Sequence, residues 1–259
     1  MKNLELTEDQ KNFLNYHTKG IWTYNADTGL VDVKGNVDIP MNTRHLTDFK
    51  GVRFGKVDGY FDCSYNKLTS LEGAPQEVRG YFNCGLNQLT SLEGAPQEVG
   101  KYFVCNNNNL TSLKGGPQKV GGYFVCRNNK LTSLEGAPQE VGKYFSCRGN
   151  KLTSLAGAPQ EVGGYFSCGT FKLEMGECNP KGWLKVLREG RPKAQKLILS
   201  IFSAEVLNKE IQKDPAGMIM KLKEVWNDGN FKEIRSKLVW PKGYGDSADL
   251  VGDLDDIGF

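Results

Sequence analysis

Cysteine is the first residue type in this chain whose spacing suggests chemistry. Six of the seven cysteines recur every 21 residues, at Cys63, Cys84, Cys105, Cys126, Cys147 and Cys168. Such a row could bind a metal or form disulfides, but neighbouring parallel strands would point both thiols the same way, and the sequence contains no CxxC pair. We therefore interpret the six thiols as small buried core residues. Cys178, outside the row, is the one thiol that we expect to be reactive.

The chain offers few other residues for catalysis. Its two histidines, His17 and His45, lie far from Cys178 in the sequence and have no evident partner. The sequence has no P-loop, GxSxG or HExxH motif. It therefore predicts that the protein is not an enzyme, that it binds no metal, and that it needs no cofactor or small-molecule ligand.

Tyrosine provides a second row, and its chemistry is that of binding. The row consists of Tyr60, Tyr81, Tyr102, Tyr123, Tyr144 and Tyr165, and Arg127 and Arg148 share a register close to it. An exposed aromatic stripe with arginines nearby is typical of a protein interface. Alternatively, the stacked tyrosines only protect the surface of a sheet. Nucleic acid could also stack on them, but residues 1–179 contain 19 Lys and Arg against 18 Asp and Glu, which disfavours a phosphate backbone.

These residues are positioned by an internal repeat with the consensus YFxCxxNxLTSLxGxPQxVxx. Phe82 and Cys84 are two residues apart and so point to one face of a strand, whereas Tyr81 points to the other. Asn87 can turn the chain inward and bond the neighbouring backbone through its amide. We expect each unit to be one short strand plus a return. Because a single coil cannot bury its inner face, the units must stack.

The unit resembles the leucine-rich repeat, LxxLxLxxNxL. Asn87 matches the asparagine of that motif, Leu89 the leucine after it, and Phe82 and Cys84 the inward strand positions. The sixth copy has Phe171 in place of the asparagine, as expected of a capping repeat. The resemblance implies an α/β solenoid, a short leucine-rich-repeat arc of parallel strands whose concave face bears the tyrosines. The wording LTSLEGAPQEV also resembles repeat proteins of bacteriophages and other microbial viruses, which implies a phage or viral protein.

The segments on either side differ from the repeats, which occupy residues 60–178. Residues 1–59 are predicted to form an N-terminal cap with a short helix after the capping box Thr7 to Gln10, a turn at Asp27 to Gly29 before a strand, and a degenerate repeat at 37–59. Residues 179–245 are predicted to form a small helical bundle that begins at an Asn-Pro cap. Residues 246–259 are an acidic tail.

Charge is concentrated in these C-terminal segments. Residues 180–245 contain 14 Lys and Arg against 7 Asp and Glu, whereas residues 246–259 contain five Asp and no basic residue. The basic bundle could meet phosphate or an acidic protein, or it could be only a solvated face. Asp255, Asp256, Ile257 and Phe259 resemble the C-terminal tip of bacterial single-stranded-DNA-binding proteins, which implies docking onto genome-maintenance enzymes. The alternative is that the tail docks on the chain's own basic bundle.

Composition sets the remaining expectations. Glycine contributes 31 of 259 residues, which tight coils would explain. The chain starts without an apolar signal segment, and its longest apolar stretch, residues 197–202, is too short to cross a bilayer. We expect a cytoplasmic protein, in the host cytoplasm if viral, that recognises a protein partner through its tyrosines and does not bind membranes. One alternative is an adaptor that engages DNA replication or repair machinery, or nucleic acid itself, through the basic bundle and the tail. The other is a structural component of virions.

Overall fold

A computed structural model describes residues 5–18, 21–48, 51–159, 161–169, 172–173 and 212–213. The chain divides into two compact units, and nearly all described residues belong to the first unit, which comprises residues 1–153 together with residues 157–179. Only that unit is considered below. Several predictions concern residues that lie outside the described ones, apart from residues 212–213: the helical bundle at 179–245, the tail at 246–259 with Asp255, Asp256, Ile257 and Phe259, and the reactive Cys178. These remain predictions.

Each of the five complete repeats, which begin at residues 60, 81, 102, 123 and 144, forms one coil with two short strands, rather than the single strand that we expected. In one coil the strands are Phe82–Asn83 and Glu98–Val99. The second strand forms because the segment after the proline passes at the same place in every coil. There the N–H of Gln97 donates to the carbonyl of Gln76 at 3.2 Å, and the N–H of Gly100 donates to that of Val78 at 2.9 Å. A return without these bonds would leave its backbone groups unpaired.

The coils stack into a parallel-strand β-solenoid of about six turns with two eight-stranded sheets. The strands are β1 Trp22–Asn25, β2 Leu30–Val33, β3 Val37–Asp38, β4 Phe54–Val57, β5 Phe61–Asp62, β6 Glu77–Val78, β7 Phe82–Asn83, β8 Glu98–Val99, β9 Phe103–Val104, β10 Lys119–Val120, β11 Phe124–Val125, β12 Glu140–Val141, β13 Phe145–Ser146, β14 Glu161–Val162, β15 Phe166–Ser167 and β16 Lys172–Leu173. One sheet, which we call the Phe sheet, has the order β3-β5-β7-β9-β11-β13-β15-β16, and the other, the Val sheet, has the order β1-β2-β4-β6-β8-β10-β12-β14. Neighbours are parallel except at the pairs β1–β2 and β15–β16.

The core consists of columns of identical side chains. Phe61, Phe82, Phe103, Phe124, Phe145 and Phe166 are buried, with consecutive ring centroids 5.1–5.5 Å apart. The six repeat cysteines are also buried as thiols rather than disulfides, so their interpretation as core residues is confirmed. Burying one such Phe contributes about 1.5–3 kcal/mol, and every ring depends on the next coil for its cover.

Buried asparagines form the corner after the cysteine column. The Oδ1 atom of Asn87 accepts the N–H of Leu68 in the preceding coil at 2.9 Å. Its Nδ2 group donates to the carbonyls of Cys63, Cys84 and Gly85 at 3.0–3.2 Å. The same pattern recurs at Asn108 and Asn129. The prediction that this amide bonds the neighbouring backbone is confirmed, and its bonds join consecutive coils.

The N-terminal residues form a helix, a hairpin and a first coil. Helix α1 spans Glu8–His17, and Thr7 and Gln10 form the predicted capping box. Strands β1 and β2 form an antiparallel hairpin around the predicted turn. Strands β3 and β4 of the irregular segment at 37–59 then pair in parallel with β5 and β6 of the first regular repeat. At the other end, β16 reverses direction and pairs antiparallel with β15, which ends the regular coils.

Glycine is required at the turn that leads to the proline. Gly73, Gly94, Gly115, Gly136 and Gly157 all have φ between 81° and 90°. At Gly136 a Cβ would also overlap the backbone nitrogen of Lys114 in the preceding coil. The close stacking of coils therefore explains part of the high glycine content.

Candidate protein-interaction surface

The structure brings the six predicted tyrosines together in one column, which we call the Tyr column. Each ring stacks on the next, with centroids 4.3–5.6 Å apart and interplanar angles of 1–25°. The column follows the outer side of the Phe sheet, because each tyrosine immediately precedes an inward-pointing phenylalanine. With about 4.8 Å per coil, it spans roughly 24 Å.

The tyrosines are half-buried by their own stacking. Tyr102 is 37% exposed and the other five are less so. Burial, with the negative charge of Asp62, raises the pKa of Tyr81 to about 12. Burial also raises the pKa of Tyr60 and of Tyr144. These three phenols therefore stay neutral at physiological pH. The column covers the sheet and presents an aromatic surface.

A second column, the outer column, runs beside the tyrosines on the same face of the sheet. It contains the residue that follows each inward residue of the Phe sheet: Asp38, Asp62, Asn83, Val104, Val125, Ser146 and Ser167. Its chemistry changes in one direction, from carboxylates through an amide and two valines to hydroxyls. The face is therefore polar at both ends and apolar in the middle.

The acidic end is held in place by hydrogen bonds. The hydroxyl of Tyr60 donates to Oδ2 of Asp38 at 3.0 Å. The hydroxyl of Ser64 donates to Oδ1 of Asp62 at 2.6 Å, and the amide of Asn83 donates to Oδ2 of Asp62 at 3.1 Å. Both carboxylates are thus fixed on the outer face of the Phe sheet.

The basic end contains both predicted arginines. The Nε–H of Arg127 donates to the hydroxyl of Ser146 at 2.7 Å, and that of Arg148 donates to Ser167 at 2.7 Å. Both serines are fully buried beneath them. The Nζ of Lys143 lies 5.2 Å from the centroid of the Tyr123 ring, a cation–π distance. The positive charge of Arg127 also works against the rise in the pKa of Tyr144, which places the guanidinium near that phenol.

Two exposed apolar residues lie on a neighbouring turn and were not predicted from the sequence. Tyr65 is 68% exposed and Leu86 is 37% exposed, and both have left-handed backbone, with φ of 55° and 56°. The equivalent residues in the next coils are Asn107, Asn128 and Gly149, which tolerate that conformation. The available signal was this contrast: apolar side chains occupy two copies of a position that elsewhere has residues suited to a turn.

Titratable groups away from the Tyr column give weaker indications of a binding site. A cleft of about 530 Å³ on the Val sheet contains Asp32, Lys56, Glu77 and Glu98, but Lys56 and Glu77 neutralise one another at 2.7 Å. Within the described ranges, no group of three metal-ligating side chains occurs and no helix is long and apolar enough to cross a membrane. Nδ1 of His17 bonds the carbonyl of Asp38 at 2.9 Å.

Searches with protein-family models, against curated proteins and against solved structures found no match to this chain.

Proposed function

We propose that the protein is a non-enzymatic recognition module that binds an extended segment of a protein partner along the Tyr column. The observation that carries this proposal is the ordered change across this face. It runs along the outer column from Asp38 and Asp62 through Val104 and Val125 to two serines, which hold Arg127 and Arg148 beside them. A single surface that combines an aromatic row, an apolar centre and charges of opposite sign at its ends fits a polypeptide with different side chains along its length.

A protein segment fits this face better than nucleic acid does. Asp38 and Asp62 would repel a phosphate backbone laid along the column. The two central valines offer burial to apolar side chains, which a polypeptide supplies at intervals. Backbone amides and side-chain donors of a peptide could in turn bond the fixed carboxylates at the acidic end.

The proposal retains the finer expectations from the sequence. The leucine-rich-repeat type of arc and the phage or viral source are proposed from the resemblance of the repeat sequence. The adaptor for replication or repair depends on the basic segment and on Asp255, Asp256, Ile257 and Phe259, outside the described residues. No described residue favours that alternative or the virion component over recognition by the Tyr column.

A selection from a random peptide library tests the proposal. The full chain is compared with the double variant Tyr102→Ser/Tyr123→Ser and with the control Gln118→Ser/Gln139→Ser, whose residues are exposed beside the Val sheet. We expect the wild type and the control to enrich a common peptide motif and the Tyr variant to lose it. A Tyr102→Phe variant retains the stack and should retain the motif, which separates loss of the surface from loss of folding. Enrichment of the same motif by the folded Tyr double variant would show that the column is not the binding face.

A further inference from the structure

Arg127 and Arg148 form a pair of cations that the repeat does not require. They occupy the third position after the inward phenylalanine, where the preceding coils have Ser64, Gly85 and Asn106. They lie in consecutive coils, about 4.8 Å apart along the stack. The hydroxyl that each arginine bonds belongs to the next coil, and serine enters the outer column only at those two coils.

The two guanidinium groups are oriented before any ligand arrives. The hydrogen bond from Nε fixes one edge of each planar group against a buried serine. The remaining N–H donors are those of the two Nη atoms, which form the fork that matches an oxyanion in two parallel bonds. Because part of the side-chain entropy is already lost, binding costs less than for a free arginine.

Among the described residues, the pair lacks the counter-charges that some other cations of the solenoid have. Arg79 lies 3.1 Å from Asp58 and 3.6 Å from Glu77. Lys119 lies 2.8 Å from Glu140. In the part of the chain that the structure describes, no carboxylate lies at ion-pair distance from Arg127 or Arg148. Two neighbouring like charges repel, and an anion between them would relieve that repulsion.

We propose that Arg127 and Arg148 form a subsite for an oxyanion on the bound protein segment, either a carboxylate of Asp or Glu or a phosphoryl group on a side chain. The inference rests on the proposed function and assigns the direction of charge along the partner. The acidic or phosphorylated part of the segment lies at the arginines, its apolar part at Val104 and Val125, and its cationic part at Asp38 and Asp62.

The spacing of the coils sets the spacing in the partner. Four coils separate Asp62 from Ser146, or about 19 Å at 4.8 Å per coil. An extended chain rises about 3.3 Å per residue, so the cation and the anion are expected roughly six residues apart. The segment between them should carry apolar side chains on the side that faces the sheet.

The test uses a synthetic peptide with this pattern, Lys-Gly-Val-Val-Val-Gly-Glu. One analogue has phosphoserine in place of Glu, and a second has Lys there. The readout is the NMR signal of each arginine Nε–H, since residues 180–245 are basic and bulk binding would not locate the site. We expect the Glu and phosphoserine peptides to shift the signals of Arg127 and Arg148, and the Lys analogue to shift neither.

Substitutions provide the quantitative arm. Loss of the paired charge-assisted bonds in Arg127→Gln/Arg148→Gln should weaken the Kd of the Glu peptide about tenfold or more. The matched control Arg79→Gln, at an arginine already paired with carboxylates, should change it by less than about twofold. If only the phosphoserine peptide binds, the oxyanion is a phosphoryl group, and if both bind, a carboxylate suffices.

Four results would overturn the subsite. The first is an equal Kd in the double variant and the wild type, and the second is no shift at either arginine with any of the peptides. The third is a dimer of the protein alone, seen by light scattering and abolished by Arg148→Gln, since a second copy would then be the occupant. The fourth is a Tyr-dependent library motif without an acidic or phosphorylated residue, which would remove the subsite while leaving the proposed function intact. Binding at the arginines that is insensitive to Tyr102→Ser/Tyr123→Ser would remove the proposed function of the Tyr column while leaving the oxyanion subsite intact.

Discussion

The side-chain amide of Asn108 donates a hydrogen bond to the backbone carbonyl of Cys84, 24 residues earlier, at 3.0 Å. The same Nδ2 group also donates to the carbonyl of Cys105 at 3.2 Å, and Oδ1 accepts the N–H of Leu89 at 3.0 Å. One buried side chain therefore satisfies backbone groups of two consecutive coils. The asparagines join consecutive coils, and the surface formed by the Tyr column and the outer column depends on them.

Removal of this amide should weaken the solenoid strongly. Asn108→Ala leaves buried donors and acceptors without partners, and we expect a loss of about 3 kcal/mol in the free energy of unfolding. The neighbouring Asn109 is only partly buried, so Asn109→Ala is the control and should cost less than about 0.5 kcal/mol. Urea unfolding followed by circular dichroism measures both variants. Equal costs would show that the amide network does not join the coils.

The turn glycines allow the conformational and steric costs to be separated. Gly136→Ala must adopt φ near 86° and must also displace the backbone of the preceding coil. Gly169 has a similar φ of 87°, but its Cβ would lie 3.8 Å from the nearest atom. We expect Gly169→Ala to cost about 1–2 kcal/mol from the backbone conformation alone. Gly136→Ala should cost clearly more, and similar midpoints of thermal unfolding for the two variants would contradict the close stacking at Gly136.

Replacement of Leu86 should stabilise the protein, in contrast to the substitutions at Asn108 and Gly136. An exposed leucine at φ 56° gains little from burial and is strained by about 1–2 kcal/mol. Leu86→Asn, which copies Asn107 of the next coil, should therefore stabilise the protein by about 1 kcal/mol. The control Gln88→Asn changes an exposed residue whose backbone φ is not positive and should have no such effect. No gain in the urea midpoint of Leu86→Asn would mean that the leucine makes a compensating contact.

The cysteine column predicts a loss of stability at high pH. Burial raises the pKa of Cys63, Cys84, Cys105, Cys126 and Cys147 above the ordinary value of 9.0. Between the unfolded and folded pKa values the native thiols retain protons that the unfolded chain has released. The stabilisation is thus complete below pH 9 and decreases above it, by up to about 1.4 kcal/mol per pH unit for each thiol.

A variant isolates this contribution from the titration of other groups. Cys105→Ala removes one buried thiol, so the slope of unfolding free energy against pH above 9 should become less steep by up to one proton. The comparison concerns the slope, since the variant also loses packing and is less stable at every pH. The prediction fails if the two slopes are the same.

Periodicity predicted the inward and outward sides of the coil but not the contacts between coils. Phe82, Cys84 and Asn87 are close in sequence, and the strand period alone places the first two in the core. The strand Glu98–Val99 was missed because two residues give no alternation to detect, and only pairing with the adjacent coils makes them a strand. The bond between Arg127 and Ser146 was missed for the same reason, since it joins residues 19 apart that meet only when coils are stacked in register.

The hydroxyl of Ser146 positions the guanidinium of Arg127. Removal of its hydroxyl in Ser146→Ala leaves the charge of the arginine unchanged but frees its Nε–H. We expect the Nε–H signal of Arg127 to exchange faster with water and the Kd of the peptide Lys-Gly-Val-Val-Val-Gly-Glu to weaken about threefold to tenfold, in line with one lost hydrogen bond. The melting temperature should change little, because a methyl group replaces a small buried side chain. The control is Ser133→Ala. This half-buried serine lies in the segment that joins the two short strands of the coil containing Arg127, and its replacement should alter neither the exchange nor the Kd. If Ser146→Ala and Arg127→Gln weaken the Kd equally, the serine is needed for binding itself rather than for orienting the arginine.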